Sequence, residues 1–256
     1  MTNLGLRALN HPILKAVFKT PWVGIYNSYD EAARAIPPVA LAGYNNLNVT
    51  EGFKSWPVDR VRPADYAFMM HLRGLLRPQC RLVDLGGAIG MSCYTAQKYF
   101  PLPDDFEWIV CDVPAMLSAA KEVAVREGAK SVYLRFIDDL NLAGRCDIFA
   151  SSGALHFINS PLPTLLAKLD ELPKSVLINR IPVWDKKAYV TLAILHNIDN
   201  CLTPYQIFNQ EEFVGGMEAV GYKHIDSWIC PESTFSVRFH PSTRLNAFRG
   251  FYFSLQ

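Results

Sequence analysis

From residue 63 onward, short apolar runs alternate with longer stretches whose apolar positions recur every three or four residues. The runs predict strands and the stretches predict helices. Pro63 suits a helix start, and Tyr66, Met69, Met70 and Leu75 give that helix an apolar stripe. Strands are expected at Arg81 to Leu85, Glu107 to Cys111, Val132 to Phe136, Asp147 to Ala150 and Ser175 to Ile181. Helices are expected at Met91 to Tyr99, Ala115 to Glu127 and Leu162 to Leu172, and Gly128 supplies a stop for the second. Asn209-Gln210-Glu211-Glu212 reads as a capping box for a helix running through Val220 and ended by Gly221. Tyr222 to Ile229 and Ala247 to Leu255 complete the set as two final strands. Strands this apolar, alternating with helices, predict an α/β fold of Rossmann-like type: a mostly parallel seven-stranded sheet with helices on both faces.

The first 62 residues break this rhythm. They carry Pro12, Pro21, Pro37, Pro38 and Pro57 among Trp22, Tyr26, Tyr44 and Trp56. Ser28-Tyr29-Asp30-Glu31 reads as a capping box for a short helix from Asp30 to Ala35. Residues 1–62 are therefore expected as a short helical N-terminal cover over a domain spanning 63–256. Arg7, Lys15 and Lys19 make contact with a membrane surface conceivable for residues 5–19, although three basic residues are more often a solvated face.

Composition narrows the function classes. Half of the 256 residues are hydrophobic and the net charge is +1, so no global field favours nucleic acid. No apolar run is long enough to span a bilayer and no signal peptide is evident, which predicts a cytoplasmic protein. Cys80, Cys93, Cys111, Cys146, Cys201 and Cys230 form no C-x-x-C pair, and the histidines are scattered. Buried thiols in a reducing compartment are expected, with no metal site.

In such sheets ligands bind outside the carboxyl ends of the strands. After the first strand come Gly86, Gly87, Ala88 and Gly90; after the second, Asp112 with Val113; after the third, Asp138 and Asp139. After the fourth come Ser151, Ser152 and Gly153, with His156 one turn on. The glycine turn lets a ligand approach the backbone closely. Asp112 can accept both ribose hydroxyls, Asp138 can accept from an adenine amine, and Asp84 can order the turn or meet a cofactor ammonium. Each has a plainer reading: Asp112 as a helix cap, Asp138-Asp139 as a solvated loop. Their conjunction at successive strand ends favours a nucleoside cofactor. The turn is Gly-Gly-Ala-Ile-Gly rather than G-x-G-x-x-G, which disfavours a dinucleotide.

Residues 81–158 resemble the class I S-adenosylmethionine-dependent methyltransferases. Leu82-Val83-Asp84-Leu85-Gly86-Gly87, Cys111-Asp112-Val113-Pro114, Phe136-Ile137-Asp138 and Asp147-Ile148-Phe149 followed by His156 are similar to the cofactor core of plant and hydroxyindole O-methyltransferases. The whole chain resembles methyltransferases encoded among bacterial surface-polysaccharide genes, through Trp22-Val23-Gly24-Ile25-Tyr26, Ser152-Gly153-Ala154-Leu155-His156, Ile178-Asn179-Arg180-Ile181-Pro182 and Tyr205-Gln206-Ile207-Phe208-Asn209. The resemblance implies S-adenosylmethionine as cofactor, Asp112 at the ribose and Asp138 at the adenine. It also implies His156 as general base on an acceptor hydroxyl, and a small-molecule or sugar acceptor. A packing role for His156 stays open. Arg180 is expected to clamp an acceptor phosphate or carboxylate, or else to form a salt bridge. Trp184, His196, Tyr26 and Tyr44 are expected as acceptor-pocket walls, or else as core.

Overall fold

Consecutive strand residues point to opposite faces, and here both faces are apolar. The computed structural model describes residues 21–38, 40–128, 134–195, 201–231 and 234–256. Leu82, Trp108, Val110 and Ile148 enter one core, while Val83, Ile109, Phe149 and Ile178 enter another. Such strands need cover on both sides. In chain order the elements are β1 (Trp22–Tyr26), α1 (Tyr29–Arg34), β2 (Leu41–Ala42), α2 (Leu47–Glu51), α3 (Tyr66–Leu75), β3 (Arg81–Leu85), α4 (Met91–Tyr99) and β4 (Glu107–Cys111). There follow α5 (Pro114–Glu127), β5 (Leu134–Ile137), β6 (Ile148–Ser152), α6 (Leu162–Leu166), β7 (Ser175–Ile181), β8 (Val183–Trp184), β9 (Tyr189–Ile194) and β10 (Cys201–Asn209). The remainder is α7 (Gln210–Glu218), β11 (Tyr222–Cys230), β12 (Phe235–Val237), β13 (His240–Leu245) and β14 (Phe248–Leu255).

The main sheet has the order β11-β14-β7-β6-β3-β4-β5. Strands β3 to β7 pair in parallel; β14 is antiparallel to both its neighbours, β7 and β11. β14 is thus the one reversed strand of this sheet. Phe68, Leu72, Tyr94, Met116 and Ala120 on α3, α4 and α5 cover one face. Leu162, Leu165, Leu166 and Met217 on α6 and α7 cover the other. Full burial of each large aliphatic or aromatic side chain contributes about 2 kcal/mol, so the two cores hold the strand tips in register.

A second sheet, absent from the sequence reading, has the order β13-β12-β1-β9-β10-β2, with β8 also pairing with β10. The N-terminal segment therefore differs from the expected helical cover. Trp22–Tyr26 is a strand, antiparallel to β9 and parallel to β12. Gly24 at φ +76° and a register shift between Val23 and Tyr26 interrupt its alternation, which hid it. Residues 1–20, including the basic cluster, lie outside the described residues. The helix expected to reach Leu172 ends at Leu166, and the third strand is described only from Leu134. Both capping boxes hold their helices: Ser28 accepts from the Glu31 N–H, and Asn209 accepts from the Glu212 N–H. No described helix is long and apolar enough to cross a membrane.

Candidate active site

The glycine turn after β3 is shaped by close approach. Gly86 has φ +68°, and a Cβ there would lie 2.1 Å from the Ala154 Cβ. A Cβ on Gly87 would lie 2.7 Å from the Asp84 carboxylate. The turn therefore closes over an acid on one side and over the loop after β6 on the other. Ala88 takes φ +51°, and its N–H donates to Asp112 Oδ2 at 2.9 Å. Gly90, at φ +86°, precedes α4 and lies against the Tyr94 ring.

Beside this turn runs a cleft of about 560 Å³ across the tips of β3, β4, β5, β6 and β7. Asp84, Gly86, Gly87, Ala88, Asp112, Val113, Asp138 and Arg180 all line it. Asp84 is buried, and desolvation pushes its carboxyl up to about 7 despite a 3.2 Å hydrogen bond donated by Trp108 Nε1. Asp112 is pushed up to about 6 by the same cause, opposed by the N–H groups of Val113 and Ala88. A cation placed here would be met by carboxylates already stripped of water.

The opposite wall comes from outside the main sheet. Tyr29, Tyr44, Asn45, Phe53, Trp56 and Arg62 line the cleft, with Phe157 after β6 and Thr203 on β10. Phe53 stacks on Trp56 at 4.3 Å, and Tyr44 meets Phe157 edge-on at 4.9 Å. This wall is tied down. Asn45 Oδ1 accepts from the Ala115 N–H at the start of α5 (3.1 Å), Lys54 pairs with Glu122 (2.7 Å), and Tyr29 donates to the Phe157 carbonyl (2.8 Å).

Several expected residues lie elsewhere. His156 does not line the cleft. It is buried among Phe157, Tyr205 and Phe248, and burial holds its imidazole neutral, with a pKa lowered to about 3. Its Nδ1 has no partner. Ser151 is fully buried with an unpartnered hydroxyl, and strand alternation sends Ser152 to the cleft instead. Asp139, beyond the end of β5, caps the turn at Leu140–Leu142 instead, accepting from the Asn141 N–H. Gly90 supports the turn from outside the cleft. Trp184 donates to the Lys187 carbonyl and packs on Tyr189. Tyr26 packs with the cluster of Val23, Ala32 and Leu192, while Tyr29 takes the wall position. His196 lies outside the described residues. Among described residues no group of His, Cys, Asp and Glu could hold a metal ion.

The chain matches no family model and no curated protein. Solved structures resemble its fold. The CcbJ methyltransferase from Streptomyces caelestis aligns with a TM-score of 0.51 at 10% identity, over 83% of this chain and 99% of that one. YJHP from E. coli aligns with a TM-score of 0.50 at 15% identity, over 82% and 100%. OxaC in complex with SAH and oxaline aligns with a TM-score of 0.50 at 14% identity, over 79% of this chain but 49% of OxaC, so the likeness spans about half of that protein. At such identities the likeness is one of architecture: the chain shares the Rossmann-like α/β fold of the CcbJ methyltransferase.

Proposed function

We propose that the protein is an S-adenosylmethionine-dependent methyltransferase acting on a hydroxyl of a small molecule or sugar. The observation that carries this reading is the Asp84 carboxylate directly beneath Gly87, facing the cleft. A buried acid under the turn repels the pyrophosphate of a dinucleotide. It attracts the ammonium of an amino-acid tail. The donor set also fits the nucleoside: Asp112 keeps lone pairs for ribose hydroxyls beyond the bonds to Ala88 and Val113, and Asp138 stands one strand further on for the adenine amine.

S-adenosylmethionine supplies an activated methyl when bound, so the protein must chiefly align the acceptor and manage one proton. The wall of Tyr29, Tyr44, Phe53, Trp56 and Phe157 excludes water and offers ring faces to an acceptor. His156 is shielded from the cleft by Phe157 and carries no step. An acidic acceptor hydroxyl, such as a phenol, would then lose its proton to solvent before binding and meet the methyl as the oxyanion, while a neutral amine acceptor would need no base before transfer. The test is calorimetry with S-adenosylhomocysteine, followed by turnover assays on hydroxylated acceptors and glycans. Binding of S-adenosylhomocysteine with micromolar affinity, and its release on turnover, supports the reading. Binding of NAD instead overturns it.

A further inference from the structure

Part of the cleft's outer wall is fastened to one helix. Val113, the N-cap residue of α5, gives that helix no side-chain cap. Asn45 supplies one from 70 residues away, accepting from the Ala115 N–H at 3.1 Å. Asp112 is thereby released from the capping role and turns its carboxylate to Ala88, Val113 and the cleft. Further along α5, Glu122 holds Lys54 at 2.7 Å, and Arg126 Nη1 donates to the Lys54 carbonyl at 2.7 Å. Beyond Trp56 the chain passes to α4, where Thr95 donates to the Val58 carbonyl at 3.5 Å. Between these anchors three rings are locked together. Tyr44 meets Phe53 edge-on at 6.2 Å, and Phe53 stacks on Trp56 at 4.3 Å. All three line the cleft, with Met91 at the start of α4 and Val113 and Met116 at the start of α5. Burial raises the Tyr44 hydroxyl well above its ordinary pKa, and Cys201 and Asp112 add to the shift, so this ring stands within electrostatic reach of Asp112.

The helices that hold these rings, α4 and α5, are the ones that leave β3 and β4, whose tips carry the glycine turn and Asp112. The other end of the cleft is held differently. There Tyr29 donates to the Phe157 carbonyl, and Arg180 is tied to Asp65 at 3.3 Å and to the Ser152 carbonyl at 2.9 Å. We propose that the segment from Tyr44 to Trp56 is a roof for the adenosine half of the cofactor, with Tyr44 and Phe53 as its ring contacts, and that the acceptor occupies the part of the cleft beside Tyr29 and Phe157. A purine offers a flat π-face, which gains from rings what carboxylates cannot give it. Rings already fixed by packing lose little freedom when the ligand arrives. The proposal rests on the methyltransferase reading of the same cleft and divides its aromatic wall between two ligands.

The test compares two ligands on the full chain by calorimetry: S-adenosylhomocysteine, and methylthioadenosine, which keeps the nucleoside but lacks the amino-acid tail. Tyr44→Ala weakens both about tenfold, the scale of one ring stacked on a base. Tyr44→Phe, which keeps the ring, binds both within about twofold of the wild type. Phe53→Leu weakens both about threefold. The equal loss is the signature, because the two ligands share only the part that lies under the roof. The proposal is overturned if Tyr44→Ala keeps both affinities within about twofold of the wild type, since the ring would then face the acceptor. A loss for S-adenosylhomocysteine alone overturns it too, because the ring would then serve the amino-acid tail. So does a Tyr44→Phe variant as weak as Tyr44→Ala, which would leave the ring face without a role. Should Tyr44→Ala fail to fold, Phe53→Leu decides by the same comparison. A wild type that binds neither ligand sinks the broader function along with the roof, whereas a wild type that binds both, with ring variants unaffected, sinks the roof alone.

Discussion

At the scale of single residues, the glycine turn and the acids at the strand tips were readable because their chemistry is local. Asp84, Gly86, Gly87 and Asp112 follow from a strand, a turn and one βα step. Which of two adjacent polar residues faces the cleft was not readable, since Ser151 and Ser152 differ only in the phase of the strand, and Asp139 is drawn off by the turn it caps just beyond β5. Gly86→Ala should destabilise the protein by about 2 kcal/mol or more in denaturant titration, given φ +68° and the overlap with Ala154. Asp84 yields a pH prediction. Burial raises its carboxyl from the ordinary 3.8 to about 7, so the native state holds the proton longer. Its contribution to stability is full below about pH 4 and is lost as pH rises through about 7. Asp84→Asn should therefore gain melting temperature over wild type as pH rises across that window, while binding S-adenosylhomocysteine more weakly. His156→Phe tests the sealed histidine: turnover should stay within a few-fold of wild type, whereas loss of a general base costs 10²-fold or more.

At the scale of elements, the βα alternation exposed the main sheet, but the second sheet left no comparable trace. β9 and most of β10 are buried on both faces, so neither alternates, and Pro204 argues against a central strand. The partner of β9, β1, lies more than 160 residues away in sequence, and pairing at that distance carries no local signal. Apart from Tyr44, the cleft's outer wall was missed with it, because Tyr29, Phe53, Trp56 and Arg62 acquire meaning only when that wall is folded over the strand tips. The wall is latched to the main domain where Asn45 caps α5. Asn45→Ala removes a bond worth about 1 kcal/mol. It should weaken S-adenosylhomocysteine binding about fivefold in calorimetry while leaving the melting temperature of the unliganded protein within a degree or two.

At the scale of the whole molecule, the two sheets are interleaved along the chain rather than strung end to end. β1 sits between β9 and β12, and β7, β11 and β14 of the main sheet alternate with strands of the second. A chain beginning at Ser28 would leave β9 and β12 each without one of its two neighbours and split the second sheet in two. Such a truncation should melt well below the full chain and bind a hydrophobic dye; an unchanged melting temperature would remove β1 from the architecture.

That central position of β1 also constrains biosynthesis. On the ribosome, β1 must wait, unpaired on one side, until residues 235–237 have emerged. Domains otherwise tend to mature from the N-terminus during synthesis. A nascent chain stalled before residue 235 would already carry every residue that lines the cleft, yet β1 would stand with one edge open and the main sheet would lack its reversed strand β14.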